Sequence, residues 1–170
     1  MKIPKSVWII LIWALILGGF LFYQQKRLTG GHDIWVKPQP VDPRDMFRGD
    51  YVIFTYDFSR YHGINDSQPG REVYAILSNQ NKQYFELSYF SHEKPADINT
   101  IFLKGKALEE LIDGADITYN IESYFVPEGE GKAYENYIGS DLLVKIHINP
   151  DGEATLIKTN FDELKKRREK

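Results

Sequence analysis

Two short segments of the chain hold most of the side chains that could bind a ligand or carry out acid–base chemistry. The first, "DPRDMFRGDY" at residues 42–51, alternates carboxylates with guanidinium groups directly before an apolar run. The second, "ESYFVPEGE" at residues 122–130, carries three glutamates. Carboxylates in such segments can bind a cation or a basic peptide, and a close pair can act as acid and base. The candidate binding or structural residues are Asp42, Arg44, Asp45, Arg48, Gly49, Asp50, Tyr51, Tyr56, Glu122, Tyr124, Pro127, Glu128 and Glu130.

The first segment also has a purely structural explanation. Asp42 precedes Pro43, which favours an extended backbone followed by a turn, and Gly49 permits a positive φ or a bulge before a strand. Arg48 and Asp50 need partners if the start of that strand is buried. The residues therefore leave two interpretations open: an ion-pair network that supports the turn, or a site for a ligand or a partner.

The second segment allows the same two interpretations. Its first residues alternate as in a strand, Pro127 ends that strand, and Glu128 and Glu130 precede a helical pattern, where carboxylates favour the positive end of the helix dipole. In the alternative, they join Glu122 and the charges of the first segment in a polar cleft that binds a basic peptide, a cation or a partner loop. We expect the two segments to meet, because charged segments at the ends of aromatic strands can satisfy each other on burial. A distance of more than about 15 Å from Arg48 or Asp50 to Glu128 would contradict this, since charges farther apart than the Debye length of roughly 8–10 Å couple little.

Other kinds of active site lack their motifs. The chain has no cysteine, which excludes disulfides, thiol catalysis and cysteine-ligated metals. No glycine-rich phosphate loop or dinucleotide fingerprint is present. None of the histidines has the spacing of a metal-binding motif; they are His32, His62, His92 and His147. The sequence therefore predicts no catalytic residue, no metal and no cofactor.

The charge distribution excludes a nucleic-acid partner. The net charge is −3, but residues 28–160 hold 12 lysines and arginines against 21 aspartates and glutamates. Binding to nucleic acid depends on a basic surface that neutralises phosphates. The acidic body of this chain would repel such a ligand.

The N-terminal part of the chain predicts a membrane anchor. The run of residues 7–23 holds no charge, and aromatic side chains, Trp8 and Tyr23, lie near its ends, where rings prefer the lipid interface. Its 17 residues would span roughly 25 Å as a helix, near the lower limit for crossing a bilayer. No small-x-small cleavage site directly follows this run, so we expect an uncleaved single-pass anchor rather than the alternative, a signal peptide. A large domain after such an anchor is expected outside the cytoplasm.

The rest of the chain predicts a mostly β domain of about seven strands and one or two short helices, arranged as a barrel or sandwich. Strand-like runs recur between turn signals, and "NPDG" at residues 149–152 predicts a hairpin turn. The run "YVIFTYDF" is apolar on both faces, which favours a central strand covered on both sides. A helical pattern occurs at residues 131–139. The expected boundaries are 1–27 for the anchor with its basic flanks, 28–33 for a linker, 34–160 for the β domain and 161–170 for a charged tail.

Two blocks of sequence resemble a known family. "GDYVIFTY" at residues 49–56 is similar to the motif that names the GDYXXLXY family, with Phe54 where the name has leucine. "YNIESYFVPEGEGKAYE" at residues 119–135 resembles a second signature of that family, and the likeness extends roughly over residues 36–158. The resemblance implies a bacterial membrane-associated protein that accompanies polytopic membrane proteins, and it supplies no catalytic residue.

These observations favour a non-enzymatic binding or assembly module tethered to the membrane. Its expected partners are the lipid bilayer, through residues 7–23, and a polytopic membrane protein in the same bilayer. Two alternatives stay open. One is an envelope hydrolase that uses Asp50 with Glu122, Glu128 and Glu130, and the other is a domain that senses a small molecule or a cation.

Overall fold

The computed structural model describes residues 4–40, 51–62, 69–80, 83–97, 99–111, 114–135, 137–138 and 140–168. The chain forms two compact units, Met1–Gly31 and His32–Lys170.

The described part of the first unit contains a single helix. Helix α1 (Lys5–Thr29) follows Pro4, whose extended backbone precedes the first turn, and ends before Gly30. Its interior is rich in leucine and isoleucine, and its large apolar side chains from Val7 to Tyr23 are all exposed, by 37% to 78%. A helix that is apolar on every side is found where lipid or protein covers it.

Across the residues that the structure describes, no helix is both long and apolar enough to cross a membrane. This finding does not support the transmembrane helix expected at residues 7–23.

The second unit is mostly β, as expected. Its described part holds ten strands and two short helices. The strands are β1 (His32–Val36), β2 (Tyr51–Ile53), β3 (Arg60–Tyr61), β4 (Glu72–Ser78), β5 (Glu86–Ser91), β6 (Phe102–Leu111), β7 (Gly114–Thr118), β8 (Ser123–Phe125), β9 (Val144–Ile148) and β10 (Ala154–Thr159); the helices are α2 (Gly131–Glu135) and α3 (Phe161–Arg168). The strand count exceeds seven partly because the run "DITYNIESYFV" is divided at Asn120, which has a φ of 62°.

The strands form three antiparallel sheets with the orders β1-β9-β10, β2-β8 and β3-β7-β6-β4-β5. The predicted hairpin is confirmed as β9–β10. The Asn149 side-chain oxygen accepts the N–H groups of Asp151 and Glu153, and Gly152 supplies a φ of 83°. A turn with these residue types therefore forms where the sequence indicated.

The core collects alternate residues of several strands. In β9, Val144, Ile146 and Ile148 are buried between half-exposed neighbours. The prediction that the run starting at Tyr51 is covered on both sides is wrong. Its even-numbered residues are buried, but Tyr51 is exposed, because β2 pairs with only one strand, β8, in the described structure.

The C-terminal segment, expected as a charged tail, packs into the core. Phe161 and Leu164 of α3 are buried, while its charged residues from Asp162 to Arg167 are exposed. Helix α2 starts at Gly131 as the pattern predicts but is only five residues long. Two apolar residues three positions apart, Phe161 and Leu164, are enough to pack a helical turn against the core. The many charged residues around them make this pair difficult to recognise in the sequence.

Candidate functional site

The two sequence blocks are adjacent in the fold. Strand β2 of the first block pairs with β8 of the second, which places Tyr51 opposite Phe125 and Val52 opposite Tyr124. One residue further on, the Phe54 N–H donates to the carbonyl oxygen of Glu122 at 2.6 Å. Tyr56 of the first block and Ile121 of the second are 65 residues apart in the chain, so only the tertiary structure brings the blocks together.

The inward face of the first block forms an aromatic stack. Phe54, Tyr56 and Phe58 are almost fully buried. The rings of Tyr56 and Phe58 are stacked with centroids 4.9 Å apart, and Tyr119 meets Phe58 edge-on at 5.2 Å. Phe54 and Tyr56, which occupy two of the positions that name the family motif, therefore supply core rather than a reactive surface.

Two tyrosine hydroxyls join this stack to the second block. Tyr56 donates to the Ile121 carbonyl oxygen, and Tyr119 donates to the Phe58 carbonyl oxygen, each at 3.0 Å. Burial raises the pKa of both phenols above their ordinary value, and the negative charge of Glu122 adds to the shift. Both hydroxyls therefore stay protonated and act as structural donors.

The outward face of the paired strands carries an exposed aromatic pair. Tyr51 and Phe125 are 49% and 60% exposed, and their rings meet edge-on with centroids 5.6 Å apart. We call them the motif pair. Large exposed aromatic side chains that already face one another are typical anchors of protein interfaces.

Beside these strands lies an open cavity of about 620 Å³, the motif cleft, which residues of both blocks line. Its charged side chains are Arg60, Asp116 and Glu122. The Arg60 guanidinium donates to Asp116 at 3.0 Å, and Glu122 accepts the Tyr119 N–H at 2.5 Å. Both carboxylates thus already have partners, which favours a structural or binding role over acid–base chemistry.

Sequence reasoning missed two of these cleft residues. Arg60 and Asp116 stand opposite one another in β3 and β7, 56 residues apart. No local pattern marks that pairing. Asn120, which also lines the cleft, did carry a signal, because asparagine is one of the few side chains that tolerate a left-handed backbone.

The other predicted residues of the second block point to different places. Glu130 forms an ion pair with Lys165 of α3 at 3.2 Å, whereas Glu128 and Pro127 are exposed, and none of the three lines the motif cleft. Tyr124 stacks on Phe54 with centroids 6.3 Å apart. The structure therefore does not gather the glutamates around one cavity.

Part of the predicted site lies outside the described residues. This applies to Asp42, Arg44, Asp45, Arg48, Gly49 and Asp50. Their ion-pair network and the approach of Arg48 or Asp50 to Glu128 stay predictions. Within the described part of the chain, no group of three or more acidic or histidine side chains could hold a metal ion.

One half-buried acid lies apart from the motif cleft. Asp57 lines a cavity of about 310 Å³, and its carboxylate accepts the Leu87 N–H at 2.7 Å. Burial raises the pKa of Asp57, and the nearby Glu86 adds to the rise, although the hydrogen bonds oppose it. The folded protein is therefore less stable when the Asp57 carboxylate is charged.

The pH dependence of stability tests this environment. An acid whose pKa is raised on folding adds stability as the pH falls through its folded pKa, and the gain is complete below its unfolded pKa near 3.8. We expect the melting temperature of Asp57→Asn, relative to wild type, to be highest at about pH 7 and to decline toward about pH 3.5. Calorimetry across this range measures the difference.

Asp33→Asn is the matched control with the opposite sign. Hydrogen bonds from His147 and Lys145 lower the pKa of Asp33, so its contribution is present above its unfolded pKa and is lost as the pH falls through the lower folded value. Its variant should be least stable, relative to wild type, at about pH 7. If the melting temperatures of Asp57→Asn and Asp33→Asn, relative to wild type, changed with pH in the same direction, the raised pKa of Asp57 would be contradicted.

Comparison with known proteins identifies a family that shares the two blocks. The model of the GDYXXLXY protein family matches residues 13–158, which include both blocks and most of the strands. No curated protein and no solved structure matches the chain. The resemblance of the two blocks is thus confirmed over most of the sequence, and the chain belongs to the GDYXXLXY protein family.

Proposed function

We propose that this protein is a non-enzymatic binding module that is anchored in a membrane by α1 and assembles with a polytopic protein of the same bilayer. The observation that carries the proposal is the surface of α1, where the large apolar side chains from Val7 to Tyr23 are exposed. A contiguous apolar surface of this size requires lipid or protein to cover it.

The distribution of charge along α1 supports an anchor. The uncharged run lies in its middle, and lysine and arginine follow at its C-terminal end. The apolar part can therefore sit in hydrocarbon while the flanks reach the headgroups.

The motif pair supports binding rather than catalysis. The family motif places Val52, Phe54 and Tyr56 in the core, and it leaves Tyr51 on the surface against Phe125. An anchor confines that surface to a layer near the bilayer, which raises its effective concentration against membrane partners. The polytopic nature of the partner is what the family resemblance implies.

Crosslinking in the native membrane tests the assembly. Tagged full-length protein is crosslinked, purified in mild detergent and read by mass spectrometry, beside Phe125→Ser and the control Tyr89→Ser, whose side chain is similarly exposed at 57%. We expect one stoichiometric membrane protein with wild type and control, and its loss with Phe125→Ser. Absence of any partner above background would overturn the proposal.

Cysteine labelling tests the anchor and its orientation. The chain has no cysteine, so Ser88→Cys, on the exposed side of β5, introduces a single thiol. We expect a membrane-impermeant maleimide to label this thiol in intact cells and the protein to stay in the membrane after alkaline extraction. Labelling only after lysis would place the β unit in the cytoplasm.

A further inference from the structure

A second, larger cavity lies away from the motif cleft. It has a volume of about 740 Å³, within the roughly 300–1,000 Å³ of ligand pockets, and we call it the aromatic groove. Strand β1, the residues before β5, the turn that precedes β9, and helix α3 contribute its walls. All of these elements belong to the second unit.

Two aromatic rings line the groove. Burial of Ile34 and Val36 turns Trp35 to the opposite face of the sheet, where its side chain is half-buried. Tyr84, just before β5, is the other ring. The ammonium groups of Lys158 and Lys37 lie 5.9 and 5.7 Å from the Trp35 and Tyr84 centroids, near the roughly 6 Å limit of a cation–π contact. Cation–π contacts at these distances are weak, so a ligand can displace the ammonium groups from the rings with little loss of free energy.

Planar polar side chains surround these rings. Asp141, Glu163 and Arg167 line the groove together with Asn160 and Gln83. Carboxylate, amide and guanidinium groups each present two hydrogen-bonding atoms in one plane, which suits neighbouring hydroxyl groups on a ring. In the lining, the charges of Lys37 and Arg167 balance those of Asp141 and Glu163. Lys158 beside Trp35 adds one positive charge, so the groove has no strong excess of either sign and selects neither a polyanion nor a polycation.

One wall of the groove is held in place before any ligand arrives. The Asn160 side chain accepts the Leu143 N–H at 2.8 Å and donates to the Asp141 carbonyl oxygen at 3.0 Å. The Ser140 hydroxyl donates to the Tyr137 carbonyl oxygen at 3.0 Å. These bonds tie the turn to the start of α3, and a preorganised wall reduces the entropy lost on binding.

The groove adjoins the smaller cavity that Asp57 lines. Lys37 and Tyr84 line both cavities, and Pro38 and Phe85 add apolar surface to the smaller one. Two adjoining sites separated by an aromatic ring suit consecutive rings of a linear chain. A single small metabolite would need only one of them.

We propose that the aromatic groove binds an oligosaccharide of uncharged or zwitterionic sugars. Its sugar rings stack on Trp35 and Tyr84, and their hydroxyl groups hydrogen-bond to the planar polar side chains. A sugar ring has an apolar face of C–H groups and a rim of hydroxyl groups, which matches this combination of surfaces. The proposal depends on neither α1 nor the motif pair, so it can fail or hold independently of the assembly function.

Fluorescence of Trp35 tests the proposal directly. The chain has three tryptophans, and replacing Trp8 and Trp13 of α1 with phenylalanine leaves Trp35 as the only reporter in the full chain. The protein is held in lipid nanodiscs, because detergents with sugar headgroups would compete. The probes are the tetramers of N-acetylglucosamine, glucose in β-1,4 linkage and glucose in α-1,4 linkage, followed by a glycan array.

We expect saturable quenching of Trp35 by at least one oligosaccharide. Trp35→Ala should weaken glycan-array binding about tenfold or more, as for truncation of a central aromatic contact. Glu163→Gln, which alters an exposed helix residue and leaves the core intact, should also weaken binding, whereas Tyr89→Ala should not. Melting curves confirm that each variant is folded.

Two results would overturn the proposal. One is the absence of any glycan that binds on the array or changes Trp35 fluorescence. The other is quenching by a proline-rich peptide with no response to sugars, because aromatic grooves also bind extended peptides. In either case the result of the crosslinking experiment on the motif pair would stand by itself.

Discussion

Replacing Phe54 with alanine is expected to destabilise the β unit by about 3–5 kcal/mol, the usual cost of deleting a buried aromatic side chain. Phe54 is 1% exposed, and its ring contacts those of Tyr56 and Tyr124 at centroid distances of 6.4 and 6.3 Å. The substitution opens a cavity between the two sequence blocks. Urea unfolding of the full chain, followed by near-ultraviolet circular dichroism, measures the loss.

Two further variants test whether the loss comes from buried aromatic volume. Phe54→Leu restores the residue of the family motif and should cost only about 1–2 kcal/mol, because most of the apolar volume is kept. Tyr51→Ala alters the same strand on its exposed face and should cost about 1 kcal/mol or less. If Phe54→Ala were no more destabilising than Tyr51→Ala, the core role of the motif would be wrong.

Replacing Phe161 with alanine is expected to have an effect of similar size. Phe161 is 1% exposed, stacks on Tyr134 with centroids 3.8 Å apart and meets Tyr137 edge-on at 5.6 Å. Its ring thus joins α3 to α2 and the turn that follows. We expect a loss of about 3–5 kcal/mol in the free energy of unfolding, measured by the same urea titration.

An exposed residue of the same helix provides the control. Lys166→Ala removes a solvated charge and should change stability by no more than about 0.5 kcal/mol. If the C-terminal segment were a frayed tail, Phe161→Ala and Lys166→Ala would both leave the free energy of unfolding almost unchanged. That outcome would contradict the packing of α3 against the core.

The first sequence block shows how far a local pattern can be trusted. Alternation of apolar residues correctly indicated a strand at Tyr51, and Val52 and Phe54 are buried. The same run also appeared apolar on its other face, which is partly solvated because β2 has only β8 beside it in the described structure. Alternation identifies the two faces of a strand, but the neighbours of the strand decide which of them is covered.

The candidate site shows the same limit. The sequence singled out Glu122, Glu128 and Glu130 together, but Glu122 lines the motif cleft whereas Glu130 pairs with Lys165, 35 residues further along the chain. Trp35 and Tyr84 carried no motif, yet the fold places both in one groove. Neither result follows from spacing, because strands and turns redirect side chains that are close in the chain.

The sequence by itself determined the family, the mostly β class, the β9–β10 hairpin and the acidic character of the body. These properties depend on composition, on residue types at adjacent positions and on a period of two, all of which act locally. Only the tertiary structure decided that the Tyr56 hydroxyl reaches Ile121, 65 residues away, and that Phe161 belongs to the core. Such contacts depend on which distant surfaces fit when the whole chain packs, and no short stretch of sequence contains that information.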